Sequence, residues 1–300
     1  MRDIHQHLSG GASLRCTWSV IQDSGLKTGI KSYREFVTAM SLLNKGSLEQ
    51  YISVLHRIDR AQSSPYALKA CTYDAFVSSY IAGCDYLELR MNITKRSADG
   101  AIDLDALIVS ARSGFELARS QFGIDGGLIL CLGWDCSDDA NEASYRKALH
   151  YRGKGVIGID VAGSYSLSTA TQRAAFAGYY RAAKAVGLMT TCHAGEVDHP
   201  GLEEELDWAL NQLEPDRIGH GIKILQFPEL IKKAQSLKPT FEICISSNLA
   251  TGAVKKLEDF KAIFRGFEEH GLKYVICTDA THPLETDIRR ENELYNSLKG

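Results

Sequence analysis

Eight short apolar runs, helical periodicity between them, and 300 residues without a linker predict an α/β fold: a (β/α)8 TIM barrel with a helical insert between strands 1 and 2. Strands that alternate with helices pair in parallel through right-handed crossovers, and eight of them close into a barrel of roughly 250 residues. A doubly wound open sheet is the competing architecture, but no glycine-rich phosphate turn follows the first run. No Pro/Gly/Ser-rich tract or charge block divides the chain, so 1–300 reads as one barrel domain.

The first run is RDIHQH (2–7), whose alternation puts His5 and His7 on one face. About 75 residues then pass before the second run, too many for one crossover helix. Helical patterns near 14–22, 32–43, 48–61 and 66–82 fill that stretch. Residues 10–82 are therefore expected to form a lid over the barrel mouth, with packing on the outside as the plainer role for some of these helices. The remaining runs are CDYLELRMN (84–92), GLILCLGW (127–134), GVIGIDVAG (155–163), GLMTTCHAG (187–195), DRIGHG (216–221), TFEICISS (240–247) and LKYVICTD (272–279). Between them helices are expected over 104–121, 140–152, 169–186, 202–213, 228–236 and 255–269, with one more over 287–298.

Apolar residues make up 44% of the chain and charged residues 24%, with a formal net charge of −3. Interleaved charge of that size argues against a polybasic nucleic-acid surface and leaves a small molecule as the expected partner. No apolar run approaches the ~20 residues of a membrane span, and the polar start offers no signal-peptide core. Of eight cysteines, Cys131, Cys192, Cys244 and Cys277 sit in apolar runs and none forms a CxxC pair. Reduced thiols in a cytoplasmic protein are the reading that follows. The sequence leaves the oligomeric state open.

The residues that carry chemistry gather at strand ends. His5-Gln6-His7 closes the first run, His193-Ala194-Gly195-Glu196 the fifth, Gly219-His220-Gly221 the sixth and Thr278-Asp279 the eighth, with Asp160 and Glu242 in two others. Any one of these is readily a satisfied buried polar residue. Four such ends together point to the face of the barrel where active sites sit. Three histidines and an aspartate suit one Zn2+ per chain, a metal that lowers the pKa of bound water toward ~7, although iron, cobalt or nickel would accept the same donors. Glu196 and His220 remain, one to take a proton from the water and the other to protonate the group under attack.

The segments HQHLSGG (5–11), YLELRMN (86–92), IGIDVAG (157–163), HAGEV (193–197), RIGHG (217–221), EICISSNLATGAV (242–254) and CTDATHP (277–283) run in one order along nearly the whole chain. In that order they resemble the adenosine deaminase family of metal-dependent amidohydrolases. The resemblance implies that His5, His7, His193 and Asp279 bind zinc, that Glu196 protonates the purine ring, and that His220 orients and deprotonates the water, with Asp279 shared between metal and catalysis. Gly163 matches a backbone contact to the purine.

The sequence also departs from the family. Where the family carries a second aspartate after the last strand, this chain has Ala280; where it reads HxHLDG, the aspartate near the ribose 5′ end is Ser9; its acidic pair after the fourth strand is Ser164-Tyr165. Each lost buried polar contact costs ~1–3 kcal/mol. The expected activity is therefore hydrolytic deamination of an adenine-like nucleoside or nucleotide with shifted substrate preference, Ser9 and Gly163 lining the substrate and His282 replacing the missing purine contact. Hydrolysis of a cyclic amide or amidine by the same site, or a non-catalytic barrel subunit, are the alternative readings.

Overall fold

A computed structural model describes residues 1–43, 46–97 and 100–299. Eight parallel strands follow one another around the sheet in chain order: β1 Arg2–His7, β2 Tyr86–Met91, β3 Asp125–Gly133, β4 Val156–Ala162, β5 Met189–Ala194, β6 Arg217–His220, β7 Thr240–Ile243 and β8 Lys273–Ile276. The ring is nearly closed. Its seam is held by a parallel bridge between Gln6 and Asp279, in which His7 N–H donates to the Asp279 carbonyl (2.7 Å) and Asp279 N–H to the His5 carbonyl (2.8 Å). At the start of β3 the sheet approaches itself so closely at Gly126 (φ +145°) that a Cβ there would collide with the Leu87 carbonyl oxygen.

Five helices connect β1 to β2: α1 Leu8–Gly11, α2 Leu14–Asp23, α3 Tyr33–Met40, α4 Leu48–Ala61 and α5 Pro65–Ile81. Ser13, Ser32, Ser47 and Ser64 each accept a backbone N–H as the N-cap of the helix that follows, which accounts for where α2 to α5 begin. The insert divides in two. Helix α5 lies on the flank of the barrel against α6 (Leu104–Phe122), with Phe76 and Phe115 rings 4.6 Å apart and Gly114 admitting the α5 backbone. Helices α2 to α4 instead share an apolar cluster (Ile21, Phe36, Leu42, Tyr51, Ile58) with Ala280 and Leu284 beyond β8, which seats them at the strand C-terminal end.

The other crossovers are α7 Asp138–Tyr151, α8 Ala170–Ala185, α9 Leu202–Trp208, α10 Pro228–Leu237, α11 Ile245–Ala250 and α12 Phe260–Glu269, and α13 Ile288–Lys299 follows β8. Thr169 and Gln172 form a reciprocal capping box at α8, and Gly123 ends α6 in the left-handed region. Several boundaries differ from the sequence expectation. The run 240–247 leaves the sheet after Ile243 and turns into α11, because Ile245 and Leu249, four residues apart, pack as a helical face. The stretch 202–213 changes from α-helix to a π turn at Ala209–Leu213.

Candidate active site

Alternation along β1 turns His5 and His7 into the barrel, His193 is the penultimate residue of β5, and Asp279 follows β8 in the left-handed region (φ 61°). Each of these four side chains brings one donor atom within 4.8 Å of the others. Asp279 Oδ1 lies 3.6 Å from His5 Nε2 and 3.5 Å from His7 Nε2, and His7 Nε2 is 3.1 Å from His193 Nε2. Imidazole nitrogens aimed at one another across that distance call for a proton or cation between them. His5 Nε2 is buried and has no hydrogen-bond partner among the described residues. Three imidazoles and a carboxylate are also a normal donor set for zinc, so these residues fit a divalent ion.

A second ring of charge orients the donors. His5 Nδ1 lies 2.8 Å from Glu242 Oε2, and His193 Nδ1 lies 3.1 Å from Asp160 Oδ2, pairs that turn both Nε2 atoms toward the cluster. Arg90 bridges the two carboxylates, at 3.1 Å from Asp160 and 2.9 Å from Glu242, and Arg217 Nε reaches Glu242 Oε1 at 3.0 Å. Burial pushes the Asp160 carboxyl up, but His193 and Arg90 more than offset it and bring it to about 2. Glu242 is treated alike: burial raises it, and Arg90 and Arg217 hold it well below the usual carboxylate range. Both carboxylates are charged and paired at neutral pH.

Beside the cluster stand Glu196 and His220, with Glu196 Oε2 3.6 Å from His220 Nε2. Burial, reinforced by Asp279, raises the Glu196 carboxyl to about 8, and its Oε1 has no partner among the described residues. Burial and the neighbouring His5 ring hold His220 well below its ordinary value, while the Asn248 side-chain amide, 3.1 Å from Nδ1, orients the ring. His220 itself adopts φ 60°, an uncommon backbone state of the kind that collects at functional sites. At neutral pH the pair is a protonated acid facing a neutral imidazole.

Ser9 and Gly163 (φ +102°) line one cavity together with His7, Asp59 and Arg96. His282 does not join them. It lines a separate cavity with Asp3, Gln6 and Ser78, and the charges acting on it are Asp74 and Asp287. The chain turns into a short 3-10 helix at His282–Leu284, which leaves the imidazole on the α5 side of β1. Sequence reasoning missed Tyr51, whose hydroxyl donates to Asp279 Oδ2 (2.9 Å), and Ser247, whose hydroxyl reaches the same oxygen (2.5 Å). Ser247 lay in the ISSN segment and was traceable there, whereas nothing in the helical pattern 48–61 marks Tyr51.

Comparison with known proteins adds four findings. A family model described as adenosine deaminase matches residues 1–300. An adenosine deaminase of Clostridium botulinum (strain Hall) is 26% identical over 303 residues, covering 99% of this chain and 87% of its own length. Among solved structures, an N6-mAMP deaminase of Arabidopsis superposes with a TM-score of 0.82 at 22% identity, covering 100% of this chain and 87% of its own. An amidohydrolase of Burkholderia ambifaria with bound Zn superposes with a TM-score of 0.86 at 22% identity, over 100% of this chain and 80% of its own.

Proposed function

The chain belongs to the adenosine deaminase family, and on that premise we propose that it is a zinc-dependent hydrolase that replaces the exocyclic amino group of an adenine-like nucleoside or nucleotide with oxygen and releases ammonia. His5, His7, His193 and Asp279 would hold one ion per chain. The chemistry a zinc ion supplies at such a site is acidification of water toward neutral pH.

The chain's own residues supply the rest. The protonated Glu196 carboxyl donates to the ring nitrogen beside the attacked carbon, which withdraws electrons from that carbon and makes it electrophilic. His220, neutral because burial disfavours its charge, accepts the proton of the attacking water. Tyr51 and Ser247 hold Asp279 Oδ2 and so turn Oδ1 toward the four-donor cluster. Water adds, the C–N bond breaks, and the amino group takes the proton held on His220 and leaves as ammonia; the ring nitrogen keeps the proton from Glu196, and the proton of the added hydroxyl returns to Glu196. Gly163, lacking a side chain, lets the ring approach the backbone.

The observation that carries this reading is the placement of Glu196 and His220, 3.6 Å apart and both buried, next to a four-donor cluster, where burial pushes the Glu196 carboxyl up to about 8 and His220 down. Preference is shifted because the two departures persist in the fold. Ala280 is fully buried with its methyl against Gly10, and Ser9 gives its hydroxyl to Asp59. A cytoplasmic setting is supported by eight free thiols, and no helix of the described residues is long and apolar enough to cross a membrane.

The test is ammonia release by zinc-loaded protein from adenosine, 2′-deoxyadenosine, AMP, N6-methyl-AMP, 5′-thio adenosines and free aminopurines, with Glu196→Gln as control. Release from one of these compounds, abolished in the control, is expected. No release from any, with zinc bound, would overturn the reading in favour of another ring or another hydrolysis.

A further inference from the structure

Helix α2 stands between the two halves of the insert and packs on both. Leu14 and Ile21 belong to the apolar cluster at the strand C-terminal end, with Phe36, Tyr51 and Ala280. Cys16 and Val20, four residues apart, pack instead into the barrel's own cluster, which holds Ala67, Leu68, Cys71 and Ala75 of α5. Two hydrogen bonds fix how α2 lies on α5. Ser13 N–H donates to Asp74 Oδ2 (2.6 Å), and the Tyr66 hydroxyl donates to Asp23 Oδ2 (2.8 Å). The first joins the start of α2 to the later part of α5 and the second joins the end of α2 to the start of α5, so the two helices run antiparallel. Three residues inward from Ser13 and from Asp74 stand Cys16 and Cys71, facing each other in this register.

The pair is asymmetric. Cys71 is wholly buried, and Cys16 is partly exposed. A hydrogen bond with the Cys16 thiol, and then burial, push the Cys71 thiol well above its ordinary range. The other six cysteines lie outside the insert, and five of them (Cys84, Cys131, Cys192, Cys244 and Cys277) are buried.

We propose that Cys16 and Cys71 are a redox modification site, at which a low-molecular-weight disulfide oxidises the two thiols to an internal disulfide that fastens the mouth half of the insert to the barrel flank. The partly exposed Cys16 thiolate attacks the small disulfide, forms a mixed disulfide and releases one thiol. The Cys71 thiolate then attacks the Cys16 sulfur and expels the second. Both electrons pass to the small disulfide, which leaves as two thiols carrying the two protons the cysteines lost. Capping Cys16 also removes the hydrogen bond that keeps Cys71 protonated, so the first step prepares the second. The new bond closes a loop that contains α3 and α4. Its anchor is α5, packed against α6 through Phe76 and Phe115, so movement of α2 to α4 away from the barrel is opposed. Reversible bonds of this kind are the use that a reducing compartment leaves for paired thiols.

The experiment treats reduced, zinc-loaded protein with oxidised glutathione and reads it by peptide mass spectrometry and backbone amide exchange. Wild type should lose two hydrogens in a linked Cys16–Cys71 peptide, and dithiothreitol should restore them. Cys71→Ala should stop at a glutathione adduct on Cys16. Amides of α2 to α4 should exchange about tenfold more slowly in oxidised than in reduced wild type. Cys16→Ser should show no such slowing under the same treatment. A glutathione adduct that persists on Cys16 of wild type, a link between two other cysteines in place of this one, or no reaction at all overturns the proposal. So does a Cys16–Cys71 link that leaves exchange across α2 to α4 unchanged, or equal slowing in Cys16→Ser, because the bond would then fasten nothing that moves.

Discussion

His5 Nδ1 and Glu242 Oε2 lie 2.8 Å apart with both side chains wholly buried, so a carboxylate on β7 sets which nitrogen of a β1 histidine faces the four-donor cluster. The same carboxylate neutralises Arg90 and Arg217. One residue therefore serves two purposes, and removing its charge disturbs both.

Glu242→Gln is expected to weaken zinc binding about 10- to 100-fold, because the imidazole loses the partner that fixes its tautomer and strengthens its donation. It also removes one of the two carboxylates that face each of Arg90 and Arg217, which keep Asp160 and Glu88, and so costs about 1–3 kcal/mol of stability. Competition with a chromogenic chelator reads the first effect and thermal melting the second. Unchanged zinc affinity would show that the pair does not orient His5.

The pH dependence follows from Glu196. Its carboxyl keeps its proton up to about 8, and the proposed role needs that proton, so kcat/KM should fall about tenfold per pH unit above about 8. Glu196→Gln should lower the rate about 10²- to 10⁴-fold and remove that alkaline limb. The sign for stability is the same. The folded chain holds the proton between the ordinary 4.5 and about 8 while the unfolded chain has lost it, so the contribution is full below 4.5 and gone as pH rises through 8. A rate that keeps rising above pH 9 would remove Glu196 as the acid.

Gly126→Ala tests the barrel independently of the chemistry. The added methyl would collide with the Leu87 carbonyl and hold a backbone angle that L residues avoid, so a loss on the order of 3 kcal/mol is expected in urea unfolding. A variant as stable as the parent would mean that β2 and β3 separate without cost at that point.

The barrel was legible because its signals are local and repeat. Apolar runs such as LILCLG and VIGIDVA are short and alternate with stretches of helical periodicity, the pattern of buried parallel strands. The strand-end residues His5, His7, His193 and Asp279 were also visible, since in this architecture the end of a strand is a place as well as a position in sequence. Tyr51 and Asp59 carried no such marker. They sit inside an amphipathic helix whose pattern reads equally well as surface packing, and only tertiary docking decides which of its faces meets the barrel. His282 shows the converse: it stands three residues after Asp279 in sequence, yet it lines a different cavity from Ser9 and Gly163.

The seam between β1 and β8 has a consequence in time. The donors nearest one end of the chain, His5 and His7, meet their carboxylate partner only when Asp279 has been made, and at ~5–20 residues per second that is on the order of tens of seconds later. A nascent chain therefore carries no assembled cluster until its last strand leaves the ribosome, and completion of the ring and completion of the site are a single event.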